Sequence, residues 1–172
     1  LVLAANTTIG GIHGGQVNLA SSISGPGSLT KDSPGMLKIE ENNTYSGGTT
    51  VNNGTLRVDY PAQTSGLGSG PVTLNGGTLY LWRVTVDNSL TINGGSVYSS
   101  NGFGNIWNGP ITLNADFNCE NQYNFTSTNT ISGVGGVNKS GENKLIFSGT
   151  NSYTGPTNVM AGTLQCDNPD AL

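Results

Sequence analysis

At 172 residues the chain has the size of one domain, but 27 glycines and only 9% charged residues are not the makeup of a helical one. Gly, Asn, Thr and Ser crowd the sequence, and these residues form helices poorly while suiting turns and half-buried strands. A net charge of −4, with six scattered cations (Lys31, Lys38, Arg57, Arg83, Lys139, Lys144), argues against a nucleic-acid partner, and no apolar run approaches the roughly 20 residues of a membrane-spanning helix.

The chain opens on the strand-like Leu1-Val2-Leu3-Ala4-Ala5, too short for a signal peptide and without a basic flank. It reads as a mature form or an internal fragment. The lone histidine, His13, lies in the glycine-rich run from Gly10 to Gly15, where no triad or metal cluster can assemble around it. Ile23-Ser24-Gly25-Pro26-Gly27-Ser28-Leu29-Thr30-Lys31 follows, and its pattern returns 108 positions later as Ile131-Ser132-Gly133-Val134-Gly135-Gly136-Val137-Asn138-Lys139. The match continues without a gap: Asn43 to Val51 aligns with Asn151 to Val159, Gly54-Thr55-Leu56 with Gly162-Thr163-Leu164, and Asp59 with Asp167. A unit at about 23–59 thus recurs at about 131–167.

Between the copies a shorter beat runs, a Gly turn before a brief alternating strand. Gly54, Gly77 and Gly95 are 23 and 18 residues apart, about one coil of a solenoid. A coil this short buries too little alone. Stacked coils pair their strands in parallel and bury a continuous apolar stripe. An antiparallel sandwich fits the short strands equally well but leaves the recurrence of Gly-Thr-Leu unexplained. The expectation is an all-β, right-handed parallel β-helix, one domain over residues 1–172. Leu29, Leu37, Val51, Leu56, Leu74, Leu79, Val97, Leu145, Val159 and Leu164 are expected to point inward.

The residues of the two copies also carry a resemblance. Leu29-Thr30-Lys31, Leu37-Lys38-Ile39 and the run from Asn43 to Leu56 resemble the autotransporter-associated β-strand repeat, also called the passenger-associated transport repeat; residues 131–164 resemble a second copy. The chain departs from the pattern at Pro34, Glu40, Glu41 and Pro156. The resemblance implies a parallel β-helix in a large exported bacterial protein, secreted or at the cell surface, and implies no activity.

Candidate sites were weighed for chemistry. Asp32, Glu40 and Glu41 form the tightest acidic group, and paired carboxylates are the tools of polysaccharide cleavage. Strand neighbours point to opposite faces, however, and the counterparts in the second copy are Ser140, Ser148 and Gly149. A solvated surface role is expected, and no enzyme. Gly66 to Gly70 mimics a phosphate loop but lacks the following Lys-Thr. No zinc spacing surrounds Cys119 and Cys166, which read as buried hydrophobes or a disulfide. No cofactor or metal site is expected.

Two functional classes remain. One is structural: a stiff stalk between flanking coils, or a filament of copies stacked head to tail through Leu1, Val2, Leu3, Ala171 and Leu172, since the chain starts on a strand and stops in mid-repeat. The other is an adhesin that binds glycans through Tyr80, Trp82, Tyr98, Phe103 and Trp107.

Overall fold

The computed structural model describes residues 1–10, 15–59, 66–101 and 103–172; His13 lies outside the described residues. The chain is a β-solenoid of about seven turns, all-β among the described residues. Every strand pairing among them is parallel, which removes the antiparallel sandwich.

The strands stack into three ladders that form the walls of the solenoid. Wall A holds Thr7–Ile9, the first halves of Leu29–Ile39 and Thr49–Asp59, then Val72–Leu74, Leu90–Ile92, Ile111–Leu113 and Ile131–Gly133. Wall B holds Gln16–Leu19, the second halves of the same two long strands, Thr78–Trp82, Ser96–Ser100, Phe117–Asn121, Val137–Ser140 and Thr157–Val159. Wall C holds Thr85–Val86, Asn105–Trp107, Phe125–Ser127, Lys144–Phe147 and Thr163–Cys166.

Alternation along each short strand decides what faces where. In Val72-Thr73-Leu74 the two aliphatics are buried and the threonine faces out. Register then turns each outward position into a file along the rod. On wall A, Thr8, Thr30, Thr50, Thr73, Thr91 and Thr112 stand in register. At the corner beyond them the amides of Asn52, Asn75, Asn93 and Asn114 hydrogen-bond in series at 2.9, 2.7 and 2.8 Å. Inside, leucine, valine, isoleucine and phenylalanine stack from coil to coil, each worth about 1.5–3 kcal/mol when fully removed from water.

Eight of the ten residues expected inside are fully buried: Leu29, Leu37, Val51, Leu56, Leu74, Leu79, Val97 and Leu145. Leu164 is only partly buried, and Val159 is 48% exposed. Val159 lies on a strand paired on one side alone, to Val137–Ser140, so no rung covers its other side. Leu1 to Ala5 does not form the expected strand; only Val2 makes a parallel bridge, to Ser24. Leu3 and Ala171 are buried in the core rather than offered as assembly surfaces, while Leu1, Val2 and Leu172 are exposed.

The glycine beat marks a corner. Gly77 and Gly95 stack on Gly54 with φ of 65°, 82° and 68°, a conformation glycine adopts without strain. A Cβ on Gly95 would lie 2.6 Å from the Gly77 carbonyl oxygen, so coils approach here closer than any side chain permits.

The repeat's polar residues hold equivalent corners. Lys31 is buried and donates from Nζ to the Ser33 carbonyl, the Ser33 hydroxyl and the Asn53 carbonyl. Lys139 does the same to the carbonyls of Ser140, Gly141 and Ala161 at 2.6, 2.7 and 3.0 Å. The Tyr45 hydroxyl meets the Thr49 hydroxyl at 2.5 Å, and Tyr153 meets Thr157 at 2.6 Å. Asn43 and Asn151 accept from the backbone N–H of Ile23 and Ile131 one coil earlier. The two copies nevertheless occupy different walls: Leu29 to Lys31 lies in wall A, and its counterpart Val137 to Lys139 in wall B.

Candidate functional site

The outer side of wall B is unlike the threonine file of wall A. Arg57, Tyr80, Tyr98 and Glu120 fall between pairs of inward residues on four successive strands, so alternation turns all four outward. Register stacks them in one row, Lys38–Arg57–Tyr80–Tyr98–Glu120, with rungs about 4.8 Å apart. Two residues further along each strand runs a second row, Asp59–Trp82–Ser100.

The rings interlock. Tyr80 and Tyr98 meet edge to face with centroids 4.8 Å apart, and Trp82 lies tilted 6.2 Å from Tyr80. The Arg57 guanidinium sits 4.8 Å from the Tyr80 centroid and 4.3 Å from that of Trp82, as cation–π contact requires. Asp59 holds that guanidinium with two bonds, Nε to Oδ1 at 2.6 Å and a terminal nitrogen to Oδ2 at 3.1 Å. Lys38 completes the network, bonding Glu40 at 2.5 Å and Asp59 at 3.0 Å. These bonds raise the Lys38 pKa, and the bond from Lys38 lowers that of Glu40. The Tyr98 phenol is raised, first by partial burial and then by Tyr80 and Glu120 beside it.

Beyond Glu120 the wall turns the corner into a groove of about 470 Å³, lined by Glu120, Gln122, Tyr123, Gly141, Glu142 and Asn143. Its lower lip is pinned by the Ser99 carbonyl, which accepts from the backbone N–H of Gln122 at 3.0 Å and of Tyr123 at 3.2 Å. Its upper lip is tied on by the Asn143 amide, which donates to the Gln122 carbonyl at 2.5 Å.

Of the five aromatics singled out from sequence, Tyr80, Trp82 and Tyr98 come together here. Phe103 does not: it is 77% exposed on a turn after wall B, under the Arg83 guanidinium 4.2 Å from its ring centroid. Trp107 is a correction. It occupies an inward position of Asn105–Trp107, stacked between Val86 and Ser127, is fully buried, and leaves its Nε1 without a hydrogen-bond partner. Arg57, Glu120, Gln122 and Glu142 were not anticipated, and their positions follow only from register across coils.

The remaining candidates stay apart. Asp32 is exposed on the other side of its corner, and Glu40 is engaged by Lys38. No group of three or more His, Cys, Asp and Glu side chains gathers among the described residues in a way that suits a metal ion. Cys119 is buried and Cys166 exposed, and the two are not bonded to each other.

Parallel coils with glycine corners and buried corner lysines define the chain as a β-solenoid. The passenger-associated-transport-repeat family model matches residues 29–58 and 137–165, the stretches that carry the paired Lys, Tyr–Thr and Gly positions, so the chain carries two copies of this repeat. The chain is also 32% identical over 175 residues to a protein described as "Adhesin BmaC autotransporter" from Brucella suis, an alignment covering 95% of this chain. The chain spans only 4% of that relative's length. No solved structure matches.

Proposed function

We propose that the chain is a stiff stalk segment of an extracellular bacterial surface protein, a non-catalytic rod on which outer walls are displayed. The observation that carries this reading is the continuity of walls A and B from the first described coil to the last. Parallel pairing on these two walls and a single core run from coil to coil, with no linker among the described residues at which the rod can hinge. Two copies of the passenger-associated transport repeat and likeness to an autotransporter adhesin support placement outside the cell.

Seven turns at about 4.8 Å each make a rod near 34 Å long. A tandem chain of two copies joined in register tests the proposal by small-angle scattering. The maximum dimension should grow by one rod length with no spread of bend angles, whereas a hinged particle would overturn it. Copies stacked head to tail are the filament form of the same idea, and sedimentation velocity across concentration separates the two. Growth with concentration supports the filament; a constant monomer leaves the stalk.

A second reading, an adhesive wall on the stalk, is favoured by the outward row of Tyr80, Trp82 and Tyr98 on wall B. It is tested by adhesion of beads coated with the chain to epithelial cells, which Tyr80→Ala with Trp82→Ala should abolish.

A further inference from the structure

We propose that the groove at the end of wall B, together with the aromatic row leading to it, binds a short neutral oligosaccharide; this deepens the reading of wall B as an adhesive face. Three features of the site select that ligand.

The first is composition. Sugar rings offer apolar C–H faces and a rim of hydroxyls, so their sites combine aromatic surface with a few fixed acceptors and donors. Wall B supplies Tyr80, Tyr98 and Trp82 as surface. The groove adds the Tyr123 ring, 40% exposed, with the carboxylates of Glu120 and Glu142 as acceptors and the Gln122 and Asn143 side chains able to donate and accept. Glu120 belongs to both parts, because register places it directly above Tyr98. From the Tyr80 rung to the Glu142 rung the site spans three spacings, about 14 Å, which suits a short chain of sugars rather than one ring.

The second is charge. Two carboxylates and no cationic side chain line the groove, and the Lys139 ammonium behind Gly141 is committed to three backbone carbonyls, so the site disfavours a sialylated or uronic sugar. The nearest lysine in sequence, Lys144, is turned onto wall C, its Nζ 2.9 Å from the Gln165 side-chain oxygen. Arg57, at the other end of the row, is already held by Asp59 and by the two rings.

The third is rigidity. Both lips of the groove are fixed by hydrogen bonds to neighbouring coils, so little conformational freedom is lost on binding.

The test uses the whole chain on an immobilised array of cellotriose, N-acetylchitotriose, sialyllactose and trigalacturonate, followed by calorimetry on the best ligand. Binding of a neutral trisaccharide and none of the acidic ones is expected. Tyr123→Ala and Glu142→Gln should each weaken it at least tenfold. Both side chains are exposed, and unchanged circular dichroism and melting confirm that each variant folds. Failure to bind either neutral trisaccharide, equal binding of the acidic ones, or full affinity in Tyr123→Ala overturns the proposal. Release of reducing ends that disappears in Glu142→Gln would also overturn it, by making the groove a hydrolase. If cell adhesion is lost in Tyr80→Ala with Trp82→Ala but no neutral trisaccharide binds, the adhesive wall stands and the sugar ligand falls.

Discussion

The Lys139→Met substitution isolates the least ordinary element of the core. Methionine retains the volume of the aliphatic stem, so packing changes little, but the three corner carbonyls of Ser140, Gly141 and Ala161 lose their common donor. Hydrogen bonds to a charged group contribute about 1.5–3 kcal/mol each, a gross loss of about 4.5–9 kcal/mol. Sparing the ammonium its desolvation offsets several kcal/mol of that. The expected net loss is about 2–4 kcal/mol, read by urea denaturation followed by far-ultraviolet circular dichroism. It should be concentrated in faster hydrogen exchange at the amides of Ala161 to Leu164, because a solenoid's stability is local to its rungs. Lys31→Met should lose a similar amount, and the double variant the sum, since the corners are several coils apart. Burial lowers the Lys139 pKa below its ordinary 10.5, so the folded state sheds its proton first. The parent's stability advantage over the variant therefore grows as pH rises through the lowered value and levels off above 10.5. A variant as stable as the parent, or more so, would refute the role of the ammonium as a corner tie.

Gly95→Ala forces a side chain into a φ of 82° against the Gly77 carbonyl, and should lower stability by about 1–3 kcal/mol or more, read as a drop in melting temperature. Near neutral pH a thiol reagent should label Cys166 at once and Cys119 only on unfolding, as mass spectrometry would show, because burial pushes the Cys119 thiol up to about 12. The same shift makes stability fall with rising pH above 9, where the unfolded thiol ionises and the folded one does not. Fluorescence quenching by acrylamide should be nearly absent in Trp82→Phe, which leaves only the buried Trp107, and strong in Trp107→Phe.

The spacing of Gly54, Gly77 and Gly95 was enough to reveal the coil, because only glycine tolerates both the φ and the approach of stacked corners. The recurrence of Leu56, Leu79 and Val97 after those corners likewise revealed the inward phase. Recurrence does not say whether a rung has a neighbour on both sides, which is why Val159 and Leu164 fell short of burial. Trp107 was missed because a three-residue strand gives alternation nothing to count from; Ile106 faces solvent and the tryptophan faces in, the reverse of Tyr80 and Tyr98. The burial of Lys31 and Lys139 was not legible, since nothing local shows that a lysine stem can lie inside while its end reaches corner carbonyls. The groove was illegible for a different reason. Glu120 and Glu142 lie about one coil apart in sequence, and only the pairing of Phe117–Asn121 with Val137–Ser140 brings their segments together.

The displacement of the second repeat copy from wall A to wall B has a geometric consequence. The interval of 108 residues carries the chain through five complete coils and one wall more, so it advances the motif by a third of a revolution. Copies laid down at this interval wind around the rod like the stripe of a barber's pole, and only the fourth faces the same way as the first. A long shaft built to this measure has no front or back. Whatever a copy displays is offered in three directions in turn, so a neighbouring surface lies within a sixth of a turn of one of them however the shaft happens to be rotated.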